Sequence, residues 1–354
     1  MDSKSATVNF PVDTIRFIAI FLIIFLHSSG YPYKFLTPET TVIDIVNWFT
    51  LNFYDTIGMF GLPLFVMLTG ALLLNPVKSD EPLRVFYKKR FNRIGLPFVF
   101  WTIIYFIWTF AVLDWPFTTF NVLQGLISGS YYHLWYLYVL MGLYAVTPVL
   151  RVLVKNLTRN LFTYLLILWF TGTVVTPAIH TFTDFNFNPV VFVIFDWVGY
   201  YLLGVYLINS NIRRFVAYTV MILGLIGTIM SDWIITAFLG AQHTGICHNY
   251  MSPTIILGSA ALFFILVTGK SIIIKSHVKL DRFVQWVSQN TLPIYLLHML
   301  VLITLTNGVF GVYLNTLTFS PVLDTPLFAA IVFAISSTAV YILKKMPYIS
   351  RLIG

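Results

Sequence analysis

The first long apolar run of the chain, residues 12–30, reads VDTIRFIAIFLIIFLHSSG. It has the roughly 20 residues that a helix needs to cross about 30 Å of hydrocarbon. Arg16 stands near its start and His27 near its end, and ionisable groups inside a span are costly enough to suggest function. Their separation of eleven residues is three helical turns plus about 20°. The run therefore predicts a spanning helix with both side chains on one face, roughly 16 Å apart along the axis.

The composition of the whole chain excludes a soluble protein. Of 354 residues, 58% are apolar and 10% are charged, and the mean hydropathy is +0.85. A soluble domain carries about 25% charged residues, so too little polar surface exists here to face water. The sequence predicts an all-α, polytopic transmembrane helical bundle in the cell membrane, with residues 1–354 forming a single integral-membrane domain. The single cysteine, Cys247, excludes an intramolecular disulfide and a cysteine-rich metal site.

Apolar runs long enough to cross a membrane predict ten spans. They lie near residues 12–30, 57–75, 96–113, 133–152, 161–179, 190–208, 215–239, 253–269, 290–307 and 326–343. The short apolar segment 42–54 holds Asp44 and Asn47, and we interpret it as an interfacial or re-entrant piece.

The basic residues are concentrated in every second predicted loop. Most of them follow an even-numbered span: Lys78, Arg84, Lys88, Lys89, Arg90, Arg93, Arg151, Lys155, Arg159, Arg213, Arg214, Lys270, Lys275, Lys279, Arg282, Lys344, Lys345 and Arg351. The other loops carry almost none. Positively charged loops face the cytoplasm, so we expect both termini there. This sorting accounts for the net charge of +8 without a nucleic-acid partner.

Two clusters of polar residues each leave two interpretations open. Asp13 is close enough to Arg16 for an ion pair that lowers the cost of a buried guanidinium. Arg16 and His27 then either face the headgroups at the two membrane surfaces, or line a polar channel, which their shared face favours. The basic run KKRFNRIGLP at 88–97 either does no more than fix the orientation of the chain in the membrane, or binds the phosphates of a nucleotide-like donor.

Five histidines fall at or near the predicted outer side, where an imidazole can accept a proton from a hydroxyl. They are His27, His133, His180, His243 and His248. Any one of them alone is more simply an interfacial hydrogen-bonding residue. His243 and His248 lack an acidic or thiol partner in the sequence pattern, so no metal site is predicted. Asp196 and Asp232 lie inside spans six and seven, where we expect either to pair with an Arg or His.

Five segments resemble, in order, the motifs of the acyltransferase family 3 membrane enzymes. DTIR at 13–16 followed by His27 is similar to the opening D-x-x-R-x10-H. GLPLFVMLTG at 61–70 is similar to G-V-P-L-F-F-x-I-S-G, and RFNRIGLP at 90–97 to R-x-x-R-I-x-x-P. HLWYLY at 133–138 resembles H-L-W-F-L, and SQNTLPIYLLH at 288–298 resembles S-x-x-T-x-x-I-Y-L-x-H.

The departures from these motifs are mild, with Phe17 in place of a usual Gly and Thr69 in place of Ser. The chain resembles the stand-alone ten-span branch, without an esterase-like domain. The resemblance implies transfer of an acyl group, usually acetyl from acetyl-CoA, to a hydroxyl of a sugar or lipid-linked glycan. The family includes O-acetyltransferases of bacterial surface polysaccharides. Its first-span catalytic pair corresponds to Arg16 and His27.

The residues and the resemblance together give one hypothesis for the reaction. Phosphates of the donor bind Lys88, Lys89, Arg90 and Arg93, while Arg16, supported by Asp13, holds the pantetheine arm or the thioester end. His27 acts as general base on the acceptor hydroxyl or carries the acyl group itself. The predicted supporting residues are His133, Trp135, Tyr136 and His298. The rival interpretation is a sugar or lipid transporter whose pathway is lined by Arg16, Asp196 and His27.

Overall fold

The structure is a computed structural model that describes residues 11–30, 41–75, 81–182, 196–239, 247–269, 278–309, 311–314 and 320–354. Within these ranges all regular secondary structure is helical. The helices are α1 (Val12–Ser29), α2 (Val42–Met59), α3 (Gly61–Leu73), α4 (Leu83–Arg90), α5 (Leu96–Ala111), α6 (Thr119–Ser128), α7 (Trp135–Asn156), α8 (Arg159–Phe182), α9 (Asp196–Ile208), α10 (Arg214–Leu239), α11 (Pro253–Thr268), α12 (Val278–Gln289), α13 (Thr291–Thr306), α14 (Pro321–Lys344) and α15 (Ile349–Leu352). A π-helical turn, Phe91–Gly95, joins α4 to α5, and a 3-10 turn, Tyr132–Leu134, precedes α7.

The helices confirm a multi-pass membrane protein. Six described helical stretches are long and apolar enough to cross a bilayer: Val12–Ser29, Val42–Leu73, Leu83–Ala111, Thr119–Asn156, Arg214–Phe238 and Pro321–Lys344. A seventh candidate is the pair α12 and α13, bent by 80° at the break between them. Shorter apolar helices occupy Arg159–Val175 and Pro253–Thr268. The count of ten spans and the cytoplasmic placement of the termini stay predictions.

The segment 42–54, predicted to be an interfacial or re-entrant piece, forms the first three-quarters of α2, and its place relative to a membrane stays a prediction. Asp44 does not interrupt the apolar run. It closes a capping box in which its backbone N–H donates to Thr41 Oγ1 at 3.2 Å and its carboxylate accepts from the Thr41 backbone. Asp44 therefore marks the start of a helix that continues, through a tight join at Phe60, into α3.

Helix α1 lies at the centre of the bundle, packed against α2, α3, α12, α13 and α14. Two glycines let the backbones of α2 and α3 approach it closely. A Cβ on Gly61 would lie 2.8 Å from the Ala19 carbonyl oxygen, and one on Gly58 would lie 2.7 Å from Leu26 Cα. Small residues serve the same purpose wherever membrane helices pack closely. Because α1 is enclosed in this way, its polar side chains face protein rather than lipid.

Candidate active site

The two polar ends of α1 reach two different sites. Arg16, in the second turn, lines a cavity that we call the guanidinium cavity, defined by Arg16, Arg90 and Arg93. His27, in the last turn, belongs to a group that we call the histidine cluster, defined by His27, His133 and His298. The two ends of the molecule are named after these sites, the basic end and the histidine end.

The guanidinium cavity has an empty volume of about 710 Å³, which includes space open to solvent. Arg16 reaches it from α1, while Arg90 and Arg93 reach it from the end of α4 and the π-helical turn. A π-helical turn holds one more residue per turn than an α-helix, which changes the direction of the side chains that follow. Such turns occur frequently at functional sites.

Aromatic rings, rather than carboxylates, contact the guanidinium of Arg90. The Arg90 guanidinium lies 5.2 Å from the centroid of Phe86 and 5.5 Å from that of Tyr144. The Arg90 Nε is buried and has no hydrogen-bond partner among the described residues. No Asp or Glu is among the described residues that line the cavity. The guanidinium groups thus face the cavity without a carboxylate in its described lining, an arrangement that suits an anionic ligand.

Asp13 does not form the ion pair with Arg16 that the spacing suggested. Its Oδ1 accepts a hydrogen bond of 2.6 Å from Ser288 Oγ at the end of α12, and no ion pair joins it to Arg16 in the described part of the chain. The carboxylate is held by a neighbouring helix while the guanidinium turns into the cavity. Asp13 therefore ties α1 to α12 and leaves Arg16 available to a ligand.

The predicted basic cluster divides into two parts. Lys88 and Lys89 are exposed and lie outside the lining of the cavity, and Lys89 Nζ pairs with Glu81 Oε1 at 2.8 Å. At 100° per residue, neighbours on α4 point in different directions, so the two lysines cannot share the face of Arg90. Only Arg90 and Arg93 of that run reach the cavity.

The histidine cluster brings together three distant parts of the chain. The rings of His27 and His298 stack with centroids 5.3 Å apart, and His133 packs on His298 edge to face at 5.6 Å. His133 and His298 are fully buried. The cluster thus joins α1, the 3-10 turn and α13.

Hydrogen bonding fixes the tautomer of His298. Its Nδ1 contacts the backbone carbonyl oxygen of Tyr295, which can only accept, so Nδ1 carries the hydrogen. Its Nε2 is then an acceptor, and it has no partner among the described residues. Both ring nitrogens of His133 also lack a partner in that part of the chain. The cluster therefore offers imidazole nitrogens that the protein does not itself use, a requirement for a general base.

Two tyrosines connect the two sites. Tyr136 and Tyr295 both line the guanidinium cavity, and their rings lie 5.6 Å apart. Tyr295 also packs 5.5 Å from the rings of His133 and His298, and its hydroxyl donates to the His133 carbonyl oxygen at 2.5 Å. The wall of the cavity thus continues into the histidine cluster. Tyr295 belongs to the last of the five motifs, but its spacing alone did not suggest this role.

Trp135, a predicted supporting residue, lies beside the histidine cluster but makes its ring contacts elsewhere. Its ring centroid is 5.5 Å from that of Trp197 and 5.9 Å from that of Tyr250.

A further buried histidine, His248, contradicts one expectation from the sequence. His248 Nε2 lies 3.4 Å from Asp55 Oδ2, and its Nδ1 lies 3.5 Å from Asp232 Oδ2. His248 thus has acidic partners, and Asp232 has the histidine partner that its position predicted. Asp55 was not predicted as a partner of His248, because the segment before it was interpreted as interfacial or re-entrant. Asp196 is exposed, and its backbone carbonyl accepts from Trp169 Nε1.

No group of three or more metal-ligating side chains that could hold a metal ion occurs among the described residues. His243 lies outside the described residues.

A family model described as an acyltransferase domain matches residues 11–344, a range that contains both sites. The chain belongs to acyltransferase family 3. No curated protein and no solved structure matched it. Family membership and the apolar helices together make this acyltransferase a multi-pass membrane protein.

Proposed function

We propose that this family 3 acyltransferase transfers an acetyl group from cytoplasmic acetyl-CoA to a hydroxyl of a sugar or lipid-linked glycan at the cell membrane. The observation that carries the proposal is the continuous wall of Tyr136 and Tyr295 between the guanidinium cavity and the histidine cluster. One site suits an anion and the other suits proton transfer, as a reaction between a phosphorylated donor and a hydroxyl requires.

The donor enters at the basic end. Coenzyme A is confined to the cytoplasm, and the positive-inside rule predicts from the basic loops that this end faces it. Arg90 and Arg93 bind phosphate oxygens, because a guanidinium presents paired donors that match them. Arg16 lies deeper along α1 and holds the pantetheine arm, so that the thioester points toward His27.

His27 then removes the proton from the acceptor hydroxyl as that oxygen attacks the thioester carbonyl. A carbon–oxygen bond forms, the carbon–sulfur bond breaks, and the departing thiolate takes the proton from the imidazolium. A two-step route, in which the His27 nitrogen carries the acetyl group between donor and acceptor, forms and breaks the same bonds overall and gives the same products. His298 Nε2, an acceptor without a described partner, and His133 orient the acceptor or the oxyanion in either route.

The proposal is tested in proteoliposomes with labelled acetyl-CoA and membrane lipid extract as the source of acceptors, by following free thiol and labelled product. We expect His27→Ala to reduce transfer by about 100-fold or more, because general-base catalysis contributes at least that much. We expect Arg16→Ala to reduce it as well. The matched control is His277→Ala, since His277 belongs to none of the five motifs.

Near-wild-type transfer by His27→Ala would contradict the catalytic assignment. A sugar or lipid transporter, the rival function, would move its substrate without releasing free thiol from acetyl-CoA.

A further inference from the structure

A buried polar network lies at the histidine end, outside the histidine cluster. We call it the His248 network; its members are Ser29, Asn52, Asp55, Thr56, Asp232 and His248. They come from α1, α2, α10 and the Cys247–Ser252 segment, so the network joins four parts of the fold. The transfer chemistry proposed above uses none of them.

The geometry places His248 between two carboxylates. Besides its contacts with Asp55 and Asp232, its Nε2 lies 3.2 Å from Thr56 Oγ1. Asn52 Nδ2 donates to Asp232 Oδ2 at 2.8 Å. The side chain of His248 is 4% exposed, that of Asp55 is 7% exposed, and that of Asp232 is 1% exposed. Carboxylates are costly to bury unless they are paired and hydrogen-bonded, so their partners must keep their positions.

The network holds the end of the helix that carries His27. Ser29 Oγ lies 3.3 Å from Asp55 Oδ1 and donates a shorter hydrogen bond of 2.6 Å to the Leu26 carbonyl oxygen within α1. Ser29 is the last residue of α1, two positions after His27, so Asp55 contacts the last turn of α1. His27 lies in that turn.

The network also supports the chain next to His133. Tyr250, two residues after His248, packs its ring on Trp135 at 5.9 Å and accepts a hydrogen bond of 2.5 Å on its carbonyl from Tyr200 Oη. Trp135 is two residues after His133. The docking of His248 thus keeps the Cys247–Ser252 segment against the turn that places His133.

We propose that the His248 network is a positioning device that holds His27 and His133 in their reactive arrangement, with His248 as its central residue. The proposal rests on the acyl transfer assigned to the histidine cluster. The described hydrogen bond and ion pairs of His248 join it to Thr56, Asp55 and Asp232 rather than to a member of that cluster, so its role is that of a positioning residue.

The experiment compares His248→Ala, His248→Asn and Asp232→Asn in the proteoliposome assay with labelled acetyl-CoA. We expect kcat to fall by about 10- to 100-fold, because a misplacement near 1 Å can cost 100-fold. We expect KM for acetyl-CoA to stay within about twofold, because the donor binds at the other end of α1. His248→Asn serves as the milder change, which retains a side chain able to donate to one carboxylate.

A second readout does not depend on activity. Cys247 is the chain's single cysteine, it is partly buried beside His248, and burial raises the pKa of its thiol above the usual range. Release of the segment exposes this thiol, so we expect a maleimide to label Cys247 about tenfold faster in the network variants, since reactivity follows exposure and thiolate fraction. The matched control, Thr236→Val, removes a buried hydroxyl one turn later in α10 that has no hydrogen-bond partner among the described residues, and we expect it to leave the labelling rate unchanged.

The outcomes separate the two proposals. Unchanged Cys247 labelling in all three network variants overturns the positioning device, whatever the activity. A rise in KM for acetyl-CoA equal to the fall in kcat also overturns it, because a general loss of structure would act on both. A wild-type chain that releases no thiol from acetyl-CoA contradicts the proposed function instead, and the labelling rates still test whether His248 holds the segment.

Discussion

At the scale of single residues, the guanidinium cavity separates arginines from lysines. Arg90 lies between the rings of Phe86 and Tyr144 and keeps its Nε without a partner in the described part of the chain, whereas Lys89 pairs with Glu81. Aromatic rings orient a flat guanidinium without neutralising it, so its donors stay available to a ligand. A lysine at the same position would offer a point charge on a flexible stem.

Arg90→Lys tests this distinction. We expect KM for acetyl-CoA to rise about tenfold, corresponding to roughly 1.4 kcal/mol for a lost charge-assisted hydrogen bond, with kcat little changed. Steady-state thiol release from acetyl-CoA measures both constants. Lys88→Ala is the matched control, since Lys88 is exposed and lies outside the cavity. An equal effect of both variants would show that the run acts only through its total charge.

Sequence reasoning at this scale succeeded within one helix and failed between helices. The spacing of Arg16 and His27 predicts their positions on one helix, because helical periodicity is a local property. The pairing of Asn52 and Asp232 joins residues 180 positions apart, and no local pattern contains that information. The missing Asp13–Arg16 pair has the same origin, since the partner that Asp13 takes lies on α12.

At the scale of elements, α4 is held in place by a buried arginine on α7. The side chain of Arg151 is 2% exposed; its Nε donates to the Leu73 carbonyl oxygen at 2.7 Å and its Nη1 to Glu81 Oε2 at 3.2 Å. Its guanidinium also lies 4.8 Å from the centroid of Phe86, the ring that orients Arg90. Helix α4 and the arginine that it presents are thus fixed to α3 and α7.

The stability of this attachment depends on pH through Glu81. Burial acts to raise the pKa of Glu81, but hydrogen bonds and charges from Lys89 and Arg151 outweigh it and hold that pKa below its usual value of 4.5. A carboxylate with a lowered pKa contributes stability above its unfolded pKa and loses it as the pH falls through its folded pKa.

We therefore expect Glu81→Gln to lower the Tm at neutral pH, with a difference from wild type that closes as the pH falls below about 4.5. Thermal unfolding of the purified chain at several pH values measures this difference. Asp114→Asn is the control, since Asp114 lies in the connection after α5, away from α4. A gap between wild type and Glu81→Gln that stays constant down to pH 3 would contradict the assignment.

The helical elements themselves were largely predictable. Each predicted span overlaps a described helix, because long apolar runs leave few alternatives in a membrane. The first part of α2 was not recognised, since polar side chains that cap a helix or face its neighbours look like interruptions in a linear sequence. The π-helical turn at Phe91–Gly95 depends on tertiary packing, and its residues show no pattern from which it could be predicted.

At the scale of the whole molecule, two sites at opposite ends of one helix are joined through the protein interior. Under the proposed function, the donor binds at the guanidinium cavity and the acceptor hydroxyl at the histidine cluster. The orientation of the chain decides from which side of the membrane each substrate comes, and the basic loops predict that the guanidinium cavity opens to the cytoplasm.

Thiol labelling in sealed cells tests this orientation in a Cys247→Ser background. Lys88→Cys lies at the basic end, and Trp115→Cys lies after α5, which runs away from that end; both native side chains are well exposed. We expect a membrane-impermeant maleimide to label Trp115→Cys in intact cells and Lys88→Cys only after permeabilisation. The reverse result would place the donor site on the other side.

The close packing of α1 has a consequence for the choice of donor. Arg16 and His27 stand on one continuous helix, whose geometry sets the rise between them at roughly 16 Å. The close approach at Gly58 and Gly61 packs α2 and α3 tightly against that helix. Under the proposed mechanism that rise sets the length of the arm between the donor's charged group and its reactive carbon. Acetyl phosphate or a truncated thioester would leave one of the two sites empty, however well the other is filled. The enzyme would then discriminate between donors first by the length of the arm between the charged group and the reactive carbon, and only then by the acyl group.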